Sequence, residues 1–119
     1  PMLMTIQVMV QPYIHQDMDT AIKLAEAALD RGHEAVIFLF ADSVLAVNSL
    51  LKPIRGDRDI PRKLEKLIEE RGLQVDICIV CMEYKGMNSS MIIKGSRPTG
   101  LPGLADLISR SDRFITLMA

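Results

Sequence analysis

The chain has 119 residues, 49% hydrophobic and 24% charged, which suits one globular domain spanning 1–119 with a single core. No apolar run reaches the roughly 18 residues that a bilayer-spanning helix needs. A formal net charge of −1 gives no whole-chain attraction to nucleic acid or to an acidic membrane, so neither is an expected partner.

The opening stretch from Met2 to Val10 is short, uncharged and strand-like rather than a secretory leader. Within it Thr5–Val10 is the first predicted strand. Asp17 to Thr20 starts a helix, with an Asp side chain available to cap free backbone N–H groups. Ala21, Leu24, Ala25, Ala28 and Leu29 recur at helical spacing as one apolar face, and Arg31-Gly-His33 ends the helix. Ala35–Phe40 is a continuous apolar run of the kind that forms a strand buried on both faces. Ser43–Leu51 reads as a short helix and Lys52–Asp59 as a charged loop rich in breakers. Pro61 suits the start of a helix whose Leu64, Leu67 and Ile68 face inward, closed by Arg71-Gly72. Val75–Val80 is the next buried strand. Glu83–Met91 reads as a short helix bounded or broken by Gly86, and Met91–Lys94 as a short strand or that helix's end. Leu101 opens a last helix with Leu104, Leu107 and Ile108 inward, and Arg113–Met118 is the final strand. This alternation predicts an α/β fold: a three-layer α/β/α sandwich around a mostly parallel sheet of four to five strands.

Chemistry points to two residues. Cys78 and Cys81 are the only cysteines, and they fall where a buried strand gives way to a polar, Gly-containing segment. Strand ends are where α/β proteins gather ligands. With no leader in view, two cysteines suit a reducing cytoplasm better than a disulfide scaffold. Were the strand to continue to Cys81, the two sulfurs would point to opposite faces; were the chain to turn after Val80, both could face one pocket. Lys85 follows closely, and Lys94 and Arg97 could fold back toward the thiols and favour a thiolate. The alternative is that both cysteines simply pack.

A structural zinc site needs four ligands, and His15 and His33 lack ligand spacing, so no metal is expected. A thioredoxin-type site would follow an early strand, whereas this pair comes late. Tyr13, His15 and Gln16 occupy the first strand-to-helix loop and could line a pocket. That loop has no Gly-rich phosphate cradle, so no nucleotide cofactor is expected. His33 reads as a turn residue, and Asp57, Arg58 and Asp59 as a solvated charge cluster.

The chain resembles the DsrE/TusD type of the DsrE/DsrF-like sulfur-transfer family over nearly its whole length. Pro12-Tyr13 with Asp19-Thr-Ala21 is similar to the family's first loop and helix, and Gly32-His-Glu34 to its helix end. Phe38-Leu-Phe-Ala-Asp-Ser-Val44 resembles a Phe-Phe-Tyr-x-x-Gly-Val stretch, with Ser43 in place of the Gly. Cys78 precedes Gly86 by eight positions, as the DsrE/TusD type requires, and Cys78 with Cys81 also matches the Cys-x-x-Cys of other branches. Tyr84-Lys85 stands where a basic pair is usual. Thr99-Gly-Leu-Pro-Gly-Leu-Ala-Asp106 resembles the segment before the last helix, with Pro102 replacing a second Gly.

The resemblance implies a cytoplasmic sulfurtransferase or sulfur-relay protein without a cofactor. In it Cys78 carries sulfur as a persulfide and passes it to a partner protein. Cys81 would resolve or share that persulfide, or be the reactive thiol itself. Tyr13, His15, Lys85 and Gly86 are the candidate substrate-binding residues. Donor and acceptor proteins are implied as partners, with assembly into homo-oligomers or hetero-oligomers of related subunits. The competing expectation is a non-catalytic oligomeric or regulatory subunit with buried cysteines.

Overall fold

A computed structural model describes residues 1–119. Five strands, β1 (Leu3–Val8), β2 (Glu34–Leu39), β3 (Gln74–Cys78), β4 (Arg97–Thr99) and β5 (Arg113–Leu117), form one sheet in the order β4-β3-β2-β1-β5. Every neighbouring pair is parallel. The helices are α1 (Asp17–Asp30), α2 (Ile60–Arg71), α3 (Ile79–Tyr84) and α4 (Leu101–Arg110), with short 3-10 segments at Ala41–Val47 and Ser89–Met91.

The topology sets the layers. Strands β1 to β4 step across the sheet in one direction, and α1 and α2 cover one face. The chain then returns past β1 to add β5, and a crossover of the same hand in the reverse direction lies on the opposite face. That places α4 there alone. On the first face Ile6, Val8, Ile37, Leu39, Val75 and Ile77 pack with Met18, Ala21, Ala25, Leu64 and Leu67. On the second, Leu3, Val36, Phe38 and Cys78 pack with Leu107 of α4. The α/β sandwich is therefore as expected, with five strands and a fully parallel sheet.

Several boundaries differ from the sequence reading. Strand β1 starts and ends two residues early, because Leu3 pairs with Glu34 and Val8 with Leu39. Asp17 is the first residue of α1 rather than its cap; Gln16 precedes it without a side-chain capping bond. Asp17 instead accepts from the Ala119 N–H at 2.6 Å. The expected Ser43–Leu51 helix is a 3-10 segment that begins at Ala41 and stops at Asn48, which forms an isolated bridge with Ile92. That bridge is all that Met91–Lys94 contributes to strand structure. Strand β4 leaves no signal in the sequence because Arg97-Pro-Thr99 has no apolar pattern; Pro98 is tolerated since β4 is an edge strand. In α4 Leu107 is buried and Leu104 half-buried, but Ile108 faces solvent, because one helix cannot turn that much surface onto a face it covers alone. No helix is long and apolar enough to cross a membrane.

Candidate active site

The expected strand to Val80 stops at Cys78, and α3 begins one residue later. Cys78 is the N-cap of α3, with extended backbone, and its Sγ accepts the Cys81 N–H at 3.3 Å. The first N–H groups of a helix have no partner within it, so a cysteine at this position offers its sulfur to one of them. The turn comes two residues earlier than the reading that brought both thiols to one pocket. The two thiols nevertheless do not diverge to opposite faces: Cys81 packs against the apolar cluster that contains Cys78.

The spacing from Cys78 to Gly86 now has a physical meaning. It is the length of α3 with both of its ends. Lys85 is the C-cap, and the Gly86 N–H donates to the Glu83 carbonyl at 2.9 Å while the Met87 N–H reaches the Met82 carbonyl at 3.1 Å. Gly86 has φ of +74°, and a side chain there would meet no atom within 4 Å. Its backbone conformation, not crowding, calls for glycine.

The surroundings of the two thiols differ. Cys78 is buried, at 6% exposure, among Leu3, Val36, Phe38 and Leu107; Cys81 is half-buried at the edge of that cluster, beside Phe40 and Leu104. Burial pushes the Cys81 thiol up, the neighbouring Cys78 sulfur adds to this, and a hydrogen bond from the Ala41 backbone opposes it. At neutral pH Cys81 is therefore a protonated thiol. Ala41 follows β2 and has φ of +58°, a left-handed conformation that costs an L-residue about 1–2 kcal/mol. Residues held in such conformations cluster at functional sites. Nothing in the sequence singled out Ala41, because its role is carried by its backbone.

Lys85 forms an ion pair with Asp42, Nζ to Oδ1 at 2.6 Å, which ties the end of α3 to the 3-10 segment after β2. Both residues line a crevice of about 310 Å³ with Gln11, Ile14, Leu45, Asn48 and Met87. The first loop thus reaches this crevice through Gln11 and Ile14, and neither cysteine lines it. Tyr13 points elsewhere: its hydroxyl donates to the Arg58 carbonyl at 2.8 Å and accepts the Ile60 N–H at 3.2 Å. The Arg58 guanidinium stacks on the Tyr13 ring and pairs with Asp19 and Asp57. Asp57 and Arg58 are therefore a clasp that pins the 52–59 loop to α1, rather than a freely solvated cluster. His15 is exposed. His33 accepts the Met2 N–H on Nδ1 at 3.0 Å and so secures the start of β1.

Lys94 lies with Glu65, Ile68 and Glu69 on the α2 side. Arg97 does approach the thiol strand, but its Nε pairs with Asp76 at 3.5 Å. Asp76 is buried two residues before Cys78 on the same face; burial pushes its carboxyl up, and Arg97 and Gln74 partly offset this. Thr99 is the register partner of Cys78, so the first turn of α4 starts beside the thiols. No three or more His, Cys, Asp or Glu side chains converge as metal ligands would.

A parallel α/β sheet whose interior strand ends in a cysteine that caps the next helix defines a small thiol-bearing α/β protein. The sequence profile of the DsrE/DsrF-like family matches residues 2–117, and the chain belongs to that family. It is 28% identical to the provisionally assigned sulfurtransferase DsrE of Allochromatium vinosum, over 96% of this chain and 97% of that protein. It is also 28% identical to the sulfurtransferase TusD of Klebsiella pneumoniae, over 87% of this chain and 90% of that one. Among solved structures, the YchN protein of E. coli superposes with a TM-score of 0.82 at 24% identity, covering 98% of this chain and all of that one. This last likeness concerns the fold.

Proposed function

We propose that the chain is a sulfurtransferase of a sulfur relay, which accepts sulfur as a persulfide on Cys78 and hands it to a cysteine of a partner protein. The observation that carries this reading is the position of Cys78. It caps α3 at the C-terminal end of β3 and receives a backbone N–H on its sulfur, in a chain of the DsrE/DsrF-like family. A Cys78 thiolate attacks the outer sulfur of a donor persulfide, and the donor thiolate leaves. The acceptor then repeats the same displacement on the Cys78 persulfide.

Lys85 and Gly86, exposed at the end of α3, would meet the donor or acceptor, and the loop carrying Tyr13 and His15 would form the opposite wall of the crevice. Val80 and Tyr84 on α3 and Leu101 and Ile108 on α4 leave large apolar side chains in solvent. Such surface suits contact with another protein chain, which supports a homo-oligomer or a complex with related subunits. Residues 1–119 would act as one domain, in a reducing cytoplasm that keeps both thiols free.

The test is intact mass after exposure to inorganic polysulfide. Cys81→Ser gains one sulfur atom and Cys78→Ser gains none. Absence of any added sulfur on both variants sinks the proposal. The second reading, a non-catalytic subunit, draws on the burial of Cys78. It predicts that both thiols resist labelling until the protein is unfolded.

A further inference from the structure

The pair has a consequence beyond sulfur carriage, and it rests on Cys78 being the carrier. Cys78 is enclosed by Leu3, Val36, Phe38 and Leu107, and Cys81 stands at the edge of that enclosure with Phe40 and Leu104. Thiols in solution reach Cys78 poorly, whereas Cys81 packs against the same cluster and its own backbone N–H is held against the Cys78 sulfur. The two residues span the first turn of one helix, and the Cys81 N–H sits 3.3 Å from the Cys78 Sγ. Side chains three apart on a helical turn lie about 5–6 Å apart at Cβ, and a disulfide needs about 3.5–4.5 Å, so the first turn of α3 closes the bridge by tightening about 1–2 Å at Cβ. Both cysteines are free in this structure, so the bridge is open to be made.

We propose that Cys81 is a resolving thiol, which turns the sulfur carrier into a sulfide-releasing persulfide reductase when no acceptor protein is docked. The Cys81 sulfur attacks the Cys78 Sγ of the persulfide. A Cys78–Cys81 bond forms and the bond from Cys78 Sγ to the outer sulfur breaks. The outer sulfur leaves with that electron pair, takes up the proton released by Cys81, and departs as hydrogen sulfide. The outer sulfur is reduced, and the two cysteine sulfurs are oxidised to a disulfide. A dithiol reductant then supplies two electrons and two protons to reopen the bridge. An acceptor cysteine must compete with an attacker held in place, so transfer succeeds only to a docked partner.

The experiment treats wild type, Cys81→Ser, Cys81→Ala and Cys78→Ser with inorganic tetrasulfide, removes the excess, and follows intact mass and released sulfide over time. Circular dichroism of each variant confirms folding. The serine and alanine variants at position 81 retain the added sulfur. Wild type loses it at least about tenfold faster, as expected for an intramolecular attacker, releases one sulfide per sulfur lost and yields a peptide linked between positions 78 and 81. Equal persistence of the persulfide in wild type and both position-81 variants overturns the resolving role while leaving sulfur carriage standing. Failure of both position-81 variants to load any sulfur overturns the carrier reading and the resolving role with it. Loading on Cys78→Ser but on neither position-81 variant also overturns the assignment, because Cys81 is then the carrier.

Discussion

Replacing Gly103 with alanine tests how α4 is seated beside the thiols. Gly103 lies in the first turn of α4, and a methyl there would overlap the Thr99 Oγ1 outright, with the Thr99 Cβ at 3.3 Å and Cγ2 at 3.4 Å. Thr99 is the register partner of Cys78. It can relieve the overlap only by leaving its rotamer or by pushing α4 off the sheet. Overpacking of this kind costs about 1–3 kcal/mol. Against it stands the gain from exchanging a helical glycine for alanine, about 0.5–1 kcal/mol. Gly103→Ala alone should therefore destabilise, by up to about 2.5 kcal/mol once these two effects are combined. In a Thr99→Ala background the overlapping atoms are gone and only the helix gain remains, so the same substitution becomes neutral or stabilising. Urea denaturation of the four proteins in this cycle measures the coupling, expected to be at least about 1 kcal/mol. An equal effect of Gly103→Ala in both backgrounds would refute the reasoning, since it would show that Thr99 is not what holds α4 at this distance.

Two further outcomes concern titrating groups. Burial raises the Asp76 carboxyl more than Arg97 and Gln74 lower it, so its contribution to stability is present below its unfolded value of about 3.9 and is lost as pH rises through the higher folded value. Asp76→Asn removes that dependence, so the variant gains stability relative to wild type between about pH 4 and pH 7; urea midpoints that keep a constant difference across this range count against the account. Burial and the adjacent Cys78 raise the Cys81 thiol, so its alkylation by iodoacetamide should reach half-maximal rate above the ordinary thiol value of about 8.5. In denaturant the midpoint should fall back to that value, and identical midpoints in both conditions would refute a buried Cys81.

Much of the fold could be read from periodicity. The run at Ala35–Phe40 is apolar on both faces because helices cover both sides of the sheet, and Val75, Ile77 and Cys78 of β3 are buried for the same reason. The helix of Leu64 and Leu67 and its stop at Gly72, with φ of +72°, followed from local propensity alone. Ends of elements were harder. Cys78 and Val80 are equally strand-like as residues, and only the competition between sheet pairing and the α3 hydrogen bonds ends β3 at Cys78. Strand β4 was invisible because it has three residues and its stability comes from pairing with β3.

The site divides in the same way. Sequence by itself determined that two thiols stand three apart ahead of a glycine eight residues on, since spacing is a covalent fact. It also determined that a parallel α/β sheet would carry them at a strand end. Only the tertiary structure decided that Cys78 is enclosed and Cys81 guards it, that the Ala41 backbone turns toward Cys81, and that Lys85 answers to Asp42 rather than to a thiol. It also gave Tyr13 to the Arg58 clasp instead of the crevice. These are contacts between residues distant in the chain, made by packing three layers together, and no local pattern encodes which of several neighbours a side chain will meet.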